Sequence, residues 1–102
     1  MKKRVNIEIH KEKLAEFCMK NHIKKLSLFG SSIHDDFRAD SDVDILVEFE
    51  PDAHVGLIKF AGLELELSEI LGRKVDLNTP EFISKYYREE VLAEAEVQYD
   101  AA

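Results

Sequence analysis

Two aspartates separated by one residue, Asp42 and Asp44, open an apolar run that continues to Phe49. On an extended strand, residues i and i+2 point to the same side, about 7 Å apart along the chain. Both carboxylates therefore share one face, whereas Val43 points to the other. Like charges this close repel each other, and a hard divalent cation such as Mg²⁺, which prefers carboxylate oxygens, would remove that cost. A solvated acidic strand start is the alternative interpretation.

A third aspartate, Asp76, lies in a later strand-like segment. Alternation places Val75 and Leu77 on one side of this segment and Asp76 on the other. If the two strands are neighbours, Asp76 joins the earlier pair on a common face. Three facing carboxylates suit two cations about 3.5 to 4 Å apart, the geometry used for in-line displacement at phosphorus. The alternative is an exposed carboxylate paired with Arg73 or Lys74.

Gly30 and Ser31 follow a segment, residues 25–29, whose alternating pattern predicts a strand. A glycine lets the backbone approach a phosphate closely, and free N–H groups at the start of a helical segment favour an anion. The Ser31 hydroxyl would add one donor. An ordinary turn is the alternative, since Gly-Ser pairs are common in turns.

The elements that must position these residues alternate between helix and strand. Gly72 is expected to end the second helix, and Thr79 followed by Pro80 to start the last one. Helices are predicted over residues 10–21, 55–71 and 80 to about 99, and strands over 25–29, 43–49 and 73–78. This order predicts an α/β (α+β) fold, a small mixed β-sheet flanked by helices, in a single domain over residues 1–102.

The predicted 55–71 helix is apolar on more than one side. One stripe consists of Leu57, Phe60, Leu63, Leu67, Ile70 and Leu71. Ile58, Ala61 and Leu65 extend that stripe around the helix. The extension is either a docking face for a partner or a surface that packs on another helix of the same domain.

Composition excludes several classes of protein. The 102 residues carry a net charge of −7, and the 14 basic residues are scattered, which argues against direct nucleic-acid binding. Cys18 is the single cysteine, so an intrachain disulfide is impossible, and a buried position is expected for it. No apolar run approaches the roughly 20 residues that span a bilayer. We expect a soluble, cytoplasmic protein without a membrane partner.

The order of these motifs resembles the polymerase-β-type nucleotidyltransferase superfamily: a strand, Gly-Ser, a gap, Asp-x-Asp on a strand, then a later strand aspartate. Within that superfamily the chain is similar to the minimal nucleotidyltransferase (MNT) proteins. LFGS, SDVDILVEFE, a Glu/Leu-rich helix and LGRKVDLNTP all occur in the order of that family. The resemblance covers roughly residues 24–97 and implies a polymerase-β-like minimal fold.

The resemblance also implies roles for individual residues. Gly30 and Ser31 match the phosphate-contacting pair of the family. Asp42 and Asp44 match its metal-binding pair. Asp76 matches its third carboxylate, which helps to bind metal and assists deprotonation of the attacking hydroxyl. These three aspartates form the implied catalytic and metal-binding set, with two Mg²⁺ ions as cofactors and ATP as the substrate.

Two further residues match the family, and one stretch departs from it. Ser41 matches the serine before the aspartate pair, which either contacts the nucleotide or fixes the turn. Arg38 matches a frequent basic residue of the family, and it is either a phosphate contact or a solvent-exposed turn residue. Relatives often carry Ala-Arg-Gly after Gly-Ser-x, whereas here His34 and Asp35 replace Arg-Gly and Asp36 follows. Two added carboxylates would repel a triphosphate, so this departure puts full activity in doubt.

MNT proteins are typically antitoxins paired with a HEPN-domain ribonuclease toxin. The resemblance therefore implies AMP transfer from ATP onto a toxin tyrosine, in a hetero-oligomer with that toxin. One alternative is an antitoxin with a degraded site that neutralises its toxin by binding alone. Another is an enzyme that modifies a small antibiotic, for which the short chain offers little room to build an acceptor pocket.

Overall fold

The fold is organised around a four-stranded mixed sheet in the order β3-β2-β1-β4. The computed structural model describes residues 9–33 and 42–101. The elements are α1 (Lys11–Lys20), β1 (Ile23–Leu28), β2 (Val43–Phe49), α2 (Leu57–Leu71), β3 (Val75–Asn78), α3 (Lys85–Glu94) and β4 (Glu96–Asp100). Two 3₁₀ turns, Gly30–Ile33 and Pro80–Phe82, follow β1 and β3. The predicted α/β class with a mixed sheet is confirmed.

The strand partners determine which side chains can meet. β1 pairs antiparallel with both β2 and β4, and β2 pairs parallel with β3. The connection from β2 to β3 runs through α2, as parallel neighbours require a crossover. The bounds predicted for β2 agree with the structure, and the other two predicted strands are shifted by a few residues.

One face of the sheet forms the hydrophobic core with α1 and α2. Val43, Ile45 and Val47 are fully buried on this face, as their alternation with the aspartates predicted. α1 contributes Leu14 and Phe17 to the same cluster; the other buried members are Cys18, Ile23, Leu26, Leu28, Ile33, Leu63, Leu67, Val75 and Leu77. Burying each of the larger side chains stabilises the fold by about 1.5 to 3 kcal/mol.

The helix α2 buries one narrow stripe rather than two sides. Leu63 and Leu67 lie in the core, and Gly72 ends the helix in a left-handed conformation, as expected. Leu57 is 79% exposed, so its predicted place in the buried stripe is wrong. No helix in the described ranges is long and apolar enough to cross a membrane.

The prediction of one last helix continuing to about residue 99 is wrong. After Pro80 the chain makes a 3₁₀ turn, and α3 begins only at Lys85, where the Ser84 hydroxyl accepts a hydrogen bond from the Tyr86 amide. The segment Glu96–Asp100 is a fourth strand, β4, paired with β1. Val97 and Tyr99 have side chains that favour strands, and the free edge of β1 provides their backbone with hydrogen-bond partners. Helical propensity is a local property, so it does not indicate this distant partner.

Cys18 lies in the core on α1, as expected. Its side chain is 0% exposed, and burial raises the pKa of the thiol from 9.0 to about 12. The thiol therefore keeps its proton at neutral pH and acts as a small apolar group. Because the folded chain holds this proton more tightly than the unfolded one, its contribution to stability is lost as pH rises from about 9 through about 12.

Candidate active site

The aspartate pair lies at the start of β2. Asp42 is exposed directly before the strand, and Asp44 is half-buried as its second residue. Val43, between them, is buried in the core. The strand therefore presents acidic groups on the face opposite the core, as the alternation predicted. Packing of the apolar residues holds this orientation, because rotation of the strand would expose them to water.

The turn after β1 is joined to the backbone of Asp44 by two hydrogen bonds. The Phe29 amide donates to the Asp44 carbonyl oxygen at 3.1 Å. The Asp44 amide donates to the Ser32 hydroxyl oxygen at 2.7 Å. Ser32 is fully buried, and the sequence pattern does not reveal its role. Nothing in its local pattern separates it from the preceding serine, since its partner lies 12 residues away.

The Asp44 carboxylate lies against the space that a side chain at Gly30 would occupy. The φ of Gly30 is +62°, in the left-handed region that favours glycine. A Cβ built at Gly30 would lie 2.6 Å from Asp44 Oδ2, closer than real Cβ atoms approach oxygen. Glycine is therefore required at this position for two reasons, the backbone conformation and the close approach of a carboxylate. The Gly-Ser turn and the aspartate pair form one local unit.

Asp76 lies directly beside Asp44 on the neighbouring strand. In the parallel pairing of β2 with β3, the register places Asp44 opposite Asp76. Paired residues of adjacent strands point to the same face and lie about 5 Å apart. Asp76 is exposed, whereas Val75 and Leu77 on either side of it are buried. The expected adjacency of the two strands, and of the acidic residues on one face, is confirmed.

The structure does not describe every residue of the expected site. Ser31 lies in the single 3₁₀ turn Gly30–Ile33, which is too short to provide a helix dipole. Arg38 and Ser41 lie outside the described residues, as does the departure at His34 and Asp35. Their roles stay predictions from the resemblance. The described part of the site comprises Gly30, the three aspartates and the serine that supports the turn.

The three aspartates suit a divalent cation for two reasons: they supply carboxylate oxygens, and the backbone brings them to one face of the sheet. Carboxylate oxygens are the ligands that Mg²⁺ prefers, and the turn at Gly30 is shaped around the carboxylate of Asp44. Within residues 9–33 and 42–101, no three His, Cys, Asp or Glu side chains lie close enough together to hold a metal ion. The backbone thus brings the aspartates to one face, and side-chain rotation is needed for them to close around a cation.

The sequence matches a known family over most of its length. Residues 11–97 match the family model for the nucleotidyltransferase domain. A relative from Methanocaldococcus jannaschii, named "Putative protein adenylyltransferase", is 35% identical over 91 residues, which cover 89% of this chain and 96% of the relative. The similarity therefore extends over nearly the whole of both proteins.

Solved structures share the fold at lower identity. A crystal structure of a toxin–antitoxin complex with AMP-PNP matches with a TM-score of 0.71 and 21% identity, covering 90% of this chain and 74% of that one. A tri-AMPylated Shewanella oneidensis HEPN toxin in complex with MNT antitoxin matches with a TM-score of 0.62 and 21% identity, covering 88% and 69%. The family match over residues 11–97 shows that this chain, whose sheet brings Asp44, Asp76 and Gly30 together, belongs to the nucleotidyltransferase domain family.

Proposed function

We propose that this chain is an antitoxin that transfers AMP from ATP onto a tyrosine of a cognate HEPN ribonuclease toxin. The observation that carries the proposal is the β2–β3 register, which places Asp76 beside Asp44 and next to the Gly30 turn. The relative named as a protein adenylyltransferase supports the reaction, and the HEPN–MNT complex supports the partner. A reaction that consumes ATP and acts on a ribonuclease suits the cytoplasm.

In the proposed reaction, the Gly30–Ser31 turn receives the triphosphate, with Arg38 as a further phosphate contact and Ser41 supporting the turn. Asp42, Asp44 and Asp76 are the residues that would hold Mg²⁺. When bound, two Mg²⁺ ions would offset the negative charge of the phosphates and the attacking oxygen. Asp76 is exposed, so the acceptor hydroxyl can approach its carboxylate within hydrogen-bond reach.

The bonds and charges of this transfer balance without another reactant. The tyrosine oxygen forms a bond to the α-phosphorus of ATP while the bond from that phosphorus to the β-phosphate oxygen breaks. Pyrophosphate leaves with the electron pair. The hydroxyl proton passes to the Asp76 carboxylate and then to water. The product carries AMP in a phosphodiester on the tyrosine oxygen.

The direct test mixes the chain, its toxin, Mg²⁺ and ATP labelled on the α-phosphate. We expect label on the toxin, located by mass spectrometry as AMP on a tyrosine. Chelation of Mg²⁺ by EDTA should stop the labelling, and restored Mg²⁺ should recover it. Inhibition of the toxin's ribonuclease activity without any label would contradict the proposal and support an antitoxin that acts by binding alone.

An apolar surface on α2 suits contact with the toxin. Ile58 and Leu65, two helical turns apart on the same face, are 91% and 69% exposed, and Ala61 between them is also exposed. We call these three residues the outer stripe. The expectation that this side packs on another helix of the same domain is not met in the described residues. A protein partner that covers the outer stripe would remove this apolar area from water.

The substitution Leu65→Glu is expected to weaken toxin binding by roughly 10- to 100-fold, because it places a charge at the centre of an apolar contact. Calorimetric titration of the toxin measures the effect. Met19→Glu is the matched control, since Met19 is 62% exposed and lies on α1. Equal affinities for wild type and Leu65→Glu, or an equal loss with Met19→Glu, would place the toxin on another surface.

A further inference from the structure

The edge strand β3, which carries Asp76, is held on its outer side by two side chains of α2. The Val75 amide donates to the Ser68 hydroxyl oxygen at 3.0 Å. The Leu77 amide donates to Glu64 Oε2 at 2.8 Å. These are the two amides on either side of Asp76, and both bonds reach beyond the sheet to the neighbouring helix.

Helix and strand spacings match at this contact. Glu64 and Ser68 are four residues apart, which separates them by about 6 Å along one face of a helix. Val75 and Leu77 are two residues apart, about 6.6 Å along a strand. Two acceptors on α2 therefore meet two successive outward amides of β3. The helix provides for β3 the hydrogen bonds that a further strand would otherwise provide.

The helix itself keeps these acceptors in place. The Ser68 hydroxyl donates to the Glu64 carbonyl oxygen at 2.9 Å, which orients its oxygen toward Val75. Both residues are half-buried, so solvent competes weakly for their hydrogen bonds. The Arg73 amide donates to the Ser68 carbonyl oxygen at 3.2 Å, so the chain entering β3 is attached at the same point.

The consequence concerns Asp76. Among the described residues, β3 has four residues and a single strand neighbour, β2, so one ladder sets its register there. A slip by one residue would turn Asp76 from the acidic face to the core face. We propose that Glu64 and Ser68 are positioning residues that hold Asp76 opposite Asp44. The inference rests on the proposed function for the role of Asp76 in holding metal and accepting the hydroxyl proton.

Ser68→Ala and Glu64→Ala test the inference, because each removes one acceptor from β3. The first changes no charge. Glu64→Gln removes the charge but keeps a side-chain oxygen that can accept from Leu77. Glu66→Ala is the matched control, since Glu66 lies on the same helix and its carboxylate bonds to Lys20 at the surface.

Two measurements do not depend on catalysis. Amide hydrogen exchange at Val75 and Leu77 reports the two bonds, and broadening of the Asp76 amide signal during titration with Mn²⁺ reports cation affinity. We expect faster exchange and roughly tenfold weaker Mn²⁺ binding in Ser68→Ala and Glu64→Ala, as is typical for residues that orient ligands. Glu64→Gln should recover most of the affinity, and Glu66→Ala should match wild type. In the transfer assay, kcat should fall in the two alanine variants with KM for ATP little changed.

The results separate this inference from the proposed function. If the wild type transfers AMP and the alanine variants bind Mn²⁺ as tightly as the wild type does, the positioning role is wrong and the function stands. Suppose that Glu64→Ala and Glu64→Gln lose the same Mn²⁺ affinity and that Ser68→Ala keeps the wild-type affinity. The charge of Glu64, and not its hydrogen bond to β3, would then favour the cation, and the positioning role would be wrong. If the wild type transfers no AMP but the variants still weaken Mn²⁺ binding as expected, the function is wrong and the positioning role stands. Absence of Mn²⁺ binding in the wild type would overturn both.

Discussion

Replacing Asp44 by Asn is expected to lower AMP transfer by at least about 100-fold while leaving the protein folded. Asn has the same shape, and the two backbone hydrogen bonds of residue 44, to Phe29 and Ser32, do not involve the side chain. The lost group is one carboxylate charge at the centre of the acidic face. Initial rates with α-labelled ATP and toxin measure the effect.

Thermal unfolding of this variant, measured without Mg²⁺ and nucleotide, separates a loss of chemistry from a loss of fold. Asp44 lies beside Asp76 in the sheet, and like charges on neighbouring strands destabilise each other. Asn removes this repulsion and keeps a side-chain oxygen that accepts hydrogen bonds. We therefore expect a cooperative unfolding transition, as in the wild type, together with the loss of transfer.

Asp52→Asn is the control for loss of one negative charge. Asp52 is exposed in the turn after β2 and lies apart from the acidic face. We expect wild-type rates for this variant. Transfer by Asp44→Asn at more than about a tenth of the wild-type rate would show that the Asp44 carboxylate is not part of the reaction centre.

Gly30→Ala is expected to reduce both stability and transfer. The left-handed backbone at Gly30 costs a residue with a Cβ about 1 kcal/mol or more. In addition, the new methyl group would lie 2.6 Å from Asp44 Oδ2, so the carboxylate must move away from the turn. A loss of about 1 kcal/mol corresponds to a fall of roughly 4 to 8 °C in melting temperature for a domain of this size.

Gly72→Ala separates the two causes. Gly72 has a similar φ of +68°, but a Cβ there would have nothing within 4 Å. Both variants should therefore lose similar stability through the backbone, and only Gly30→Ala should lose transfer, by about tenfold or more. Equal transfer rates per folded molecule in the two variants would show that contact between Gly30 and Asp44 has no part in the reaction.

Much of the site could be predicted because its signals are local. Asp42 and Asp44 alternate with buried valine and isoleucine residues, and this period of two requires the carboxylates to share the opposite face. Gly72 and the apolar spacing of α2 predicted where that helix ends. These features depend on residues within a few positions of each other, where backbone geometry limits the possibilities.

Other features depend on partners that are distant in the chain. The segment Glu96–Asp100 follows a helical stretch rich in Glu and Ala, and pairing with β1 decided that it became β4. Ser32 matters because it accepts a hydrogen bond from residue 44. Nothing in the sequence of α2 distinguishes Glu64 from the other glutamates there, and its role comes from accepting a hydrogen bond from Leu77 of β3. Tertiary contacts override local propensity in such cases.

The chemical groups of the site can be recognised in the amino-acid order alone: an acidic pair on one strand face, a third aspartate on another strand, and a glycine where the chain turns. The alternation that buries the apolar side of β2 is equally local. The position of β3 beside β2, in a register that pairs Asp44 with Asp76, follows from the folded chain. Side-chain period is a property of a single strand, whereas strand order and register arise from the joint packing of α1 and α2 on the sheet.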